Sequence, residues 1–413
     1  MKLKQSNFVH RILRIQCPMA VFWFPWFWQR TEIGRIRRIL GGLAWREARG
    51  FRPRAVLLMK LILWPIIVLL AVVLCLWLKG SDPQRLAGKS RYIQLKELLY
   101  FGFFNGLAPE QYYTLRIYLF SEKGVVADFL TADEIKLMCR TVSSMVESRL
   151  VDDKWELERY LRRREIPVIS NLAAFGKDQA GLGGAGAKLP ASSLYFKPVD
   201  GYRGRGVERW EFQENLKEWE WNGTSLSEPE LVRHFESKSK AEPHVLQVAL
   251  RNHESLAPLS WGGLITFRVM TVVDQKQEPT VVGVHTLMPR LGAVVSHGVN
   301  GGLNAKVDIA TRRLLWCFSH VPREEKLAVH PDTGTVFEGF EIELLEPMMA
   351  LAVKAHRTLP EVFSIGWDMV LTDAGIFVLE GNTQWGIETG MWFGQTALPR
   401  CFLDRWGAST MVT

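Results

Sequence analysis

The longest hydrophobic pattern in the chain is Leu61–Leu78, a run of eighteen residues without a charge. That length meets the lower limit for a membrane-crossing helix, and the run lacks the polar face that a soluble helix normally keeps. We therefore expect it to contact a membrane. A cleaved signal peptide is disfavoured, because the run begins sixty residues into the chain and no small-residue cleavage site follows it.

The orientation of this run stays open. Before it stand 13 Lys/Arg and 2 Asp/Glu, an excess that is typical of cytoplasmic flanks, and the residues after it are basic as well. A single crossing would leave one basic flank outside. The run fits better if it re-enters, lies in one leaflet, or pairs with the shorter aromatic segment Pro18–Trp28. We expect a location at the cytoplasmic face of the inner membrane.

Beyond this run the pattern changes to amphipathic helices and then to short strands. Helices are predicted over 92–120, over Thr131–Leu150 with Glu134 at a capping-box spacing, and over 153–164. After Pro167, apolar runs of strand length alternate with polar segments. The predicted strands are Ser193–Val199, Val245–Leu250, Leu264–Asp274, Thr280–Leu287, Leu314–Phe318, Ser364–Leu371 and Gly375–Glu380. This order predicts an α+β body.

Charge separates the head of the chain from its body. The 413 residues carry a net charge of +8, but residues 1–100 hold 18 Lys/Arg against 4 Asp/Glu, a net of +14. The remainder therefore carries −6. This distribution, beside hydrophobic runs, indicates an anionic membrane surface rather than nucleic acid as a partner. The five cysteines are far apart and indicate reduced thiols, with neither disulfides nor a zinc site.

A glycine-rich segment after Lys197 is typical of a phosphate-binding loop. Glycine lets backbone N–H groups approach an anion closely, and successive N–H groups form a concave anion site. Lys197 would neutralise phosphate charge, while Arg203 or Arg205 could reach a terminal phosphate or an anionic substrate. The glycines are Gly201, Gly204 and Gly206. A plain glycine-rich hairpin turn stays open as the alternative.

Three further segments supply candidate ligand-binding residues. The end of an apolar strand at Gln247, Val248, Ala249 and Leu250 can offer backbone groups to adenine. Arg268 lies inside an apolar run, where a guanidinium needs a phosphate, a substrate carboxylate or an internal salt-bridge partner. A polar, glycine-rich loop is predicted over 297–308, with a composition that suits a cleft. Its candidate substrate-binding residues are His297, Asn300 and Asn304.

The last two predicted strands bring three oxygen-bearing side chains to one hairpin. Asp368 lies in the first strand, and Glu380 and Asn382 end the second. Mg²⁺ prefers carboxylate and amide oxygens and is usually shared with substrate phosphates. The alternative interpretation is that these are two ordinary strands with charged ends and no metal site. The phosphate-binding pattern upstream favours a magnesium site.

Together these passages resemble the ATP-grasp superfamily, and most closely its sugar-transfer-associated, alpha-L-glutamate ligase-like branch. The resemblance covers roughly residues 130–396, and its specificity lies in the order of motifs that are individually weak. The motifs are Asp153-Lys154 through Ile166-Pro167, Lys197 with Gly201–Gly206, Gln247–Leu250 with Asn252-His253, Phe267-Arg268-Val269, Gly301-Gly302 through Thr311, His330–Gly334, Gly366-Trp367-Asp368 and Glu380-Gly381-Asn382. One departure is Thr311-Arg312, where the branch usually has Thr-Gly.

The resemblance implies a fold in which two α+β subdomains clamp ATP, and it implies ATP and Mg²⁺ as cofactors. Asp368, Glu380 and Asn382 would hold the metal, and Lys154 and Lys197 would bind phosphates. A substrate carboxylate, oriented by Arg268, would form an acyl phosphate that an amine, thiol or hydroxyl then attacks. The implied partners are a small-molecule carboxylate, an amine-type acceptor and glycosyltransferase machinery. The membrane surface is expected as a partner from the first hundred residues alone, which the resemblance does not cover.

Two other functions stay open at this point: an ATP-grasp phosphotransferase, and a membrane-tethered nucleotide-binding partner of glycosyltransferases without catalysis. The resemblance over the body and the hydrophobic pattern of the head together suggest how the chain divides. We expect a membrane-associated head at 1–90 with its hydrophobic segment at 61–78, a helical lead-in at 91–150, an ATP-grasp domain at 151–400 and a tail at 401–413.

Overall fold

The architecture is α+β, as the sequence predicts, with two antiparallel sheets and helices around them. The computed structural model describes residues 32–119, 130, 132–176, 188–199, 206–260, 263–274, 276, 278–291, 301–319, 325–383, 385 and 397–411, with isolated positions 15, 17, 19 and 22. The chain divides into two compact units, Met1–Val142 with Gly386–Thr413, and Ser143–Trp385. These bounds are drawn from packing and differ from the four segments that the sequence suggests.

The elements are numbered in chain order over the described residues. The helices are α1 Glu32–Glu47, α2 Phe51–Lys79, α3 Ser81–Ala87, α4 Arg91–Phe104, α5 Pro109–Thr114, α6 Ala132–Val142, α7 Met145–Asp152, α8 Lys154–Arg162, α9 Glu228–Lys238, α10 Leu345–Arg357 and α11 Ala397–Met411. The strands are β1 Asn171–Phe175, β2 Leu194–Pro198, β3 Glu208–Gln213, β4 Glu218–Trp221, β5 Thr224–Leu226, β6 His244–Val248, β7 Thr266–Val273, β8 Pro279–Met288, β9 Leu303–Asp308, β10 Arg313–Ser319, β11 Glu325–Leu327, β12 Ser364–Thr372 and β13 Gly375–Asn382. Short 3₁₀ turns lie at Ile117–Leu119 and Glu254–Leu259.

The first unit is helical, and its longest helix, α2, buries only one face. The buried stripe recurs every three or four residues, as one face of a helix must, and packs against α4 and α5. Gly102 of α4 makes this packing close, because a Cβ there would lie 2.6 Å from Val68 Cγ1. The Trp64 indole N–H donates to the Gly102 carbonyl at 3.0 Å. The stripe consists of Leu61, Trp64, Val68, Ala71, Val72 and Cys75.

The opposite face of α2 exposes large apolar side chains. They are Val56, Leu58, Met59, Ile62, Leu63, Ile66, Leu69, Leu70, Val73 and Trp77. Among the described residues, α2 is the one helix long and apolar enough to cross a membrane, and by itself that is weak evidence. An open groove of about 720 Å³ lies at its N-terminal end, with apolar walls and the guanidinium of Arg54. Arg54 also stacks over the Trp45 ring, 5.1 Å from its centre.

The second unit contains both sheets. A six-stranded sheet has the order β1-β6-β2-β3-β4-β5, and its core is aromatic, with Phe196 stacked on Phe235 of α9. A seven-stranded sheet has the order β11-β10-β9-β8-β7-β12-β13. One face of this larger sheet packs against α10 through the inward-pointing residues of its strands, such as Val269, Trp367 and Met369. Alternate residues on the same strands point to its other face.

Each of the seven predicted strands coincides with a strand of the structure, but two predictions for other segments are wrong. The single helix predicted over Thr131–Leu150 is two helices, α6 and α7, because Ser144 begins a new helix by accepting a hydrogen bond from the Glu147 N–H. Glu134 forms a buried ion pair with Arg37 at 3.0 Å. The loop predicted over 297–308 ends earlier, because Leu303–Asp308 is strand β9, paired on both sides.

Candidate functional site

Two carboxylates face each other on neighbouring strands of the seven-stranded sheet. Asp368 of β12 lies directly opposite Glu380 of β13, and the two carboxyl groups share a hydrogen bond. The neighbours of Asp368 in β12, Trp367 and Met369, belong to the apolar core. Because side chains alternate along a strand, Asp368 and Glu380 must point to the face away from α10. This face is called the open face below.

Arg268 of β7 lies opposite Asp368 on the other side and binds it through two donors. Its Nη2 lies 2.8 Å from Asp368 Oδ2, and its Nε donates to Asp368 Oδ1. A two-point contact of this kind is the strongest pairing that a guanidinium makes with a carboxylate. The internal salt bridge that the sequence left open for Arg268 is therefore present. Guanidinium has five N–H donors, so this contact leaves others for a further anion.

Two lysines approach Glu380 from elsewhere in the second unit. Lys154, at the start of α8, lies 3.5 Å from Glu380 Oε2, and its Nζ donates to the Val199 carbonyl at 3.1 Å. Asp153 sets the start of that helix by accepting from the N–H groups of residues 155 and 156. Lys197 of β2 lies near enough for Glu380 to favour its charged form. The predicted phosphate-binding lysines and metal-binding carboxylates thus meet in one place.

Burial and mutual charge shift the pKa values of this group strongly. Burial raises the pKa of Asp368 to about 7; Glu380 adds to this and Arg268 opposes it. Burial alone would also raise the pKa of Glu380, but Lys154, the hydrogen bond with Asp368 and Lys197 outweigh it and hold the value at about 2. Burial lowers the pKa of Lys197 to about 8, although Glu380 opposes this. Such displaced values are typical of functional sites.

The three predicted metal ligands form a donor set that suits a hard divalent cation. Asn382 lies two residues beyond Glu380 on β13 and hence on the same face, where its amide oxygen Oδ1 would be the ligand atom. Between them Gly381 faces the core, where a Cβ would lie 2.8 Å from Val151 Cγ1. No three His, Cys, Asp or Glu side chains cluster in the described chain, so the set depends on the amide. Two carboxylates and an amide are a chemically suitable set for Mg²⁺.

The segment predicted to contact adenine lies at the end of β6, and some of its polar groups already have hydrogen-bond partners. Gln247 donates from Nε2 to Asn171 Oδ1 at 2.8 Å, and the Ala249 N–H donates to the Ser193 carbonyl at 2.8 Å. Val248 ends the strand, and Leu250 follows it. The adenine contact predicted for this segment stays a prediction.

Several predicted residues lie outside the described residues: Gly201, Arg203, Gly204 and Arg205 of the glycine segment, and His297 and Asn300 of the predicted substrate loop. Gly206 is described and has a φ of +76°, a conformation that glycine adopts without strain. Asn304 is described and lies on β9, not on a loop. Just past Asn382, the Trp385 indole N–H donates to Ser364 Oγ at 2.8 Å, which fixes the chain there against β12.

The sequence predictions missed two polar residues of the open face. His285 of β8 lies directly opposite Arg268, and Lys306 of β9 lies directly opposite His285. The signal for His285 was the same as for Arg268, a lone polar residue inside an apolar strand. Lys306 was missed because its strand was interpreted as a loop. Across five strands the open face therefore carries Glu380, Asp368, Arg268, His285 and Lys306 in one row.

A family model described as sugar-transfer associated ATP-grasp matches residues 138–403, which is more than half of the chain. The chain belongs to this family. The matched region includes every residue of the row and both lysines. No match was found among curated proteins.

Solved ATP-grasp structures are similar to the chain at low identity. Biotin carboxylase from Campylobacter jejuni is 14% identical, with a TM-score of 0.39, over 67% of this chain and 51% of that one. D-alanine–D-alanine ligase from Bacillus anthracis is 16% identical, with a TM-score of 0.35, over 65% and 71%. N5-carboxyaminoimidazole synthase from Aspergillus clavatus is 12% identical, with a TM-score of 0.32, over 62% and 50%. The chain thus spans about half the length of the carboxylase. At these TM-scores the likenesses add nothing to what the family match shows.

Proposed function

We propose that this protein is an ATP- and Mg²⁺-dependent, ADP-forming carboxylate–amine ligase. The observation that carries the proposal is the opposed pair Asp368 and Glu380, buried beside Lys154 and Lys197. Two carboxylates and two lysines can hold a metal–polyphosphate complex without leaving an unpaired charge on either side. The match to the sugar-transfer associated ATP-grasp family supports the same class of reaction.

In this proposal the second unit binds the nucleotide between its two sheets. Lys154 and Lys197 bind phosphate oxygens, the glycine segment 201–206 covers them, and backbone groups of Gln247–Leu250 contact adenine. Asp368, Glu380 and Asn382 hold Mg²⁺, which when bound neutralises charge that develops on the transferred phosphoryl group. Their positions on neighbouring strands give the site a rigid base, so binding requires little rearrangement of these side chains.

The reaction then proceeds in two displacements. A carboxylate oxygen of the substrate attacks the γ-phosphorus, ADP leaves, and an acyl phosphate forms. The amine nitrogen, or less often a thiol or hydroxyl, attacks the acyl carbon, loses its proton, and inorganic phosphate leaves. Arg268 lies beside Asp368 on the open face and orients the reacting carboxylate with the donors that Asp368 does not use.

The runner-up within enzymes is a phosphotransferase that uses the same metal site, and the non-catalytic alternative is a nucleotide-binding partner of glycosyltransferases. Hydroxylamine separates the three, because it converts an acyl phosphate into a stable hydroxamate. The full chain is incubated with ATP, Mg²⁺ and a panel of amino acids and envelope precursors, and the products are analysed by mass spectrometry. A hydroxamate with ADP supports ligation. A stable phosphorylated product supports the phosphotransferase, and nucleotide binding without turnover supports the third function.

We also propose that the protein works at the cytoplasmic face of the inner membrane, on a cell-envelope or exopolysaccharide precursor. The exposed apolar face of α2 supports the membrane contact, and exposed basic residues near its start suit anionic lipid headgroups. These residues are Arg46, Arg49, Arg52, Arg54 and Lys60. The link to sugar transfer rests on the description of the family.

Vesicle flotation tests the membrane proposal. We expect the full chain to float with vesicles that contain anionic lipid, and less with neutral ones, and the double variant Ile62→Asp, Val73→Asp to lose this binding. Both positions are exposed on α2, so the substitutions leave its buried stripe intact. A matched double variant at exposed positions away from α2, Leu172→Asp with Leu216→Asp, keeps the binding. Equal flotation of both double variants would contradict the assignment of this face.

A further inference from the structure

The groove at the start of α2 is lined by a single stripe of that helix. Its wall residues recur every three or four positions, which places them on one face, and none of them belongs to the stripe that packs against α4 and α5. Trp45, in the last turn of α1, and Gly50 complete the lining. The stripe consists of Phe51, Arg54, Ala55, Leu58, Met59, Ile62 and Leu63. A volume of about 720 Å³ is in the range of small-molecule sites.

Arg54 is the one charged residue among the described residues that line the groove. Its Nε donates to the Ala48 carbonyl at 3.1 Å, and its guanidinium lies over the Trp45 ring, so two contacts hold it in place. Neither contact neutralises the positive charge or uses the two terminal nitrogens. These nitrogens are the donors with which a guanidinium binds an anionic group at two points.

The sequence around Arg54 offers no free carboxylate. Between residues 33 and 81 the one acidic residue is Glu47, and it already forms an ion pair with Arg140. Helix α2 has no acidic residue in its first turn and no side-chain cap, so the positive end of its dipole adds to the charge. The exposed arginines at this end of the groove are Arg46, Arg49, Arg52 and Arg54. This end therefore suits an anion.

The apolar part of the groove matches the depth of one membrane leaflet. From Arg54 to Leu63 the helix rises by about 14 Å, at 1.5 Å per residue. The hydrocarbon of one leaflet is about 15 Å deep, half of a core of about 30 Å. Trp45 lies beside the guanidinium, and tryptophan prefers the level between headgroups and hydrocarbon. The groove thus suits an amphiphile with an anionic head at Arg54 and one apolar chain that follows α2.

We propose that this groove binds one anionic phospholipid molecule of the membrane, with its phosphate on Arg54 and an acyl chain along α2 as far as Leu63. The proposal rests on the membrane contact proposed above and adds a discrete binding site to it. General contact between an apolar helix face and a bilayer needs neither a groove nor a guanidinium held in place. A polyprenyl chain is longer than this groove, so a phospholipid is the better occupant.

Photo-crosslinking of the full chain in a neutral detergent tests this site. The probe is lysophosphatidylglycerol with a diazirine in its single acyl chain. Lysophosphatidylcholine with the same chain is the comparison, because it has the same phosphate but no net charge. Intact-protein mass gives the number of lipids attached per chain, and peptide mass spectrometry locates them. We expect saturable attachment of one anionic probe within Phe51–Leu63, and binding of the choline probe about fivefold weaker.

Substitution of Arg54 tests the contact with the headgroup. We expect Arg54→Gln to weaken binding of the anionic probe at least tenfold and to bring it to the level of the choline probe, while Arg54→Lys keeps part of the difference. Lys96→Gln is the matched control and should leave binding unchanged. Lys96 is likewise an exposed cation over an aromatic ring, 4.4 Å from the centre of Tyr92, and it lies outside the groove.

Filling the groove tests the place of the acyl chain. Ala55→Phe puts an aromatic ring into the space for the chain, and we expect it to abolish saturable labelling within Phe51–Leu63. Because phenylalanine keeps this face apolar, the variant should still float with anionic vesicles. Ala87→Phe, at another half-buried alanine outside the groove, is the matched control and should keep the labelling. Thermal unfolding of each variant checks its folding.

Three results would overturn the proposal. The first is labelling of wild type that spreads along α2 without saturation, and the second is equal labelling of Arg54→Gln and Lys96→Gln. The third is a different occupant: a polyprenyl phosphate that displaces the probe at a lower concentration than phosphatidylglycerol does, or a dimer of the chain that carries no lipid.

Failure of the membrane contact itself gives a different result. In that case the full chain does not float with anionic vesicles, whatever the outcome in detergent. Saturable labelling of wild type that is lost in Arg54→Gln and in Ala55→Phe would then still support a lipid site. Absence of such labelling would still refute it.

Discussion

The two faces of the seven-stranded sheet are built from the same strands but have different roles. One face packs in the apolar core, and the other carries the polar residues of the site. On the core face, Val269, Trp367 and Met369 are buried against other apolar side chains. On the open face, the residues between them, Arg268 and Asp368, form an ion pair within a row of polar groups. A strand alternates its side chains every residue, so a single run such as 364–372 supplies both a core and a site.

This difference separates stability from chemistry at the level of neighbouring residues. On the core face, removal of apolar surface from water stabilises the folded state by about 25 cal/mol per Å². The open face holds buried charges, which cost free energy unless they are paired well. We infer that the ion pairs of the open face are kept for binding rather than for stability. Substitutions one residue apart should therefore have effects of different kinds.

The largest effect is expected for Glu380→Gln. The change keeps the shape of the side chain but removes a negative charge from the predicted metal site, and we expect Mg²⁺-dependent ADP release to fall about a thousandfold. Glu338→Gln, at an exposed position, is the control and should release ADP at the wild-type rate. Full turnover in Glu380→Gln, with folding shown to be intact by circular dichroism, would contradict the assignment of Glu380 as a metal ligand.

The next effect concerns the core face directly beside Asp368. Met369→Ala removes a side chain that is fully buried, and we expect the free energy of unfolding to fall by about 2–4 kcal/mol, measured by denaturant titration. Mg²⁺-dependent ADP release per folded molecule should stay within about threefold of wild type, because the side chain does not reach the open face. A large loss of turnover in the folded variant would mean that the two faces are not independent.

The sequence predicted five of the seven strands of the larger sheet (β7, β8, β10, β12 and β13), since short apolar runs with turn residues between them have few other interpretations. It placed Asp368, Glu380 and both lysines in one site because their motifs occur in the order of a known family. It did not predict that Arg268 would pair with Asp368. That contact depends on β7 and β12 being neighbours, and strand order is a property of the fold that local patterns do not carry.

The errors in the sequence predictions have local physical causes. Leu303–Asp308 was predicted as loop because Asn300, Gly301 and Gly302 precede it and Asn304 lies within it, although β8 and β10 supply ladder hydrogen bonds that override weak propensity. The helix break at Ser143–Ser144 was missed because serine is tolerated in helices, and its capping role depends on where the next helix begins. His285 carried the same sequence signal as Arg268, whereas Lys306 could be recognised as a residue of the row only once the register placed it opposite His285.

The smallest effect should be visible in the pH dependence of nucleotide binding. Lys197 has a pKa of about 8, lowered by burial, so its ammonium loses a proton well below the pH at which an ordinary lysine does. As pH rises through 8, the neutral form accumulates and the attraction for phosphate is lost. We expect affinity for Mg·ADP to fall about tenfold between about pH 7.5 and pH 9.5, measured by calorimetry. Lys197→Arg should bind more weakly at every pH but without this fall, because guanidinium stays charged.

The exposed variant Lys240→Arg is the control for the pH experiment and should keep the wild-type profile. If Lys197→Arg shows the same fall as wild type, another group titrates, and Lys197 does not meet the phosphates. If the fall in Mg·ADP affinity disappears in Lys197→Arg but persists in Met369→Ala, the pH dependence arises from the site and not from the packing of the sheet. Experiment would then separate the effect of charge on the open face, which changes nucleotide binding, from the effect of side-chain volume on the core face, which changes stability. The alternation of side chains along a strand requires this separation.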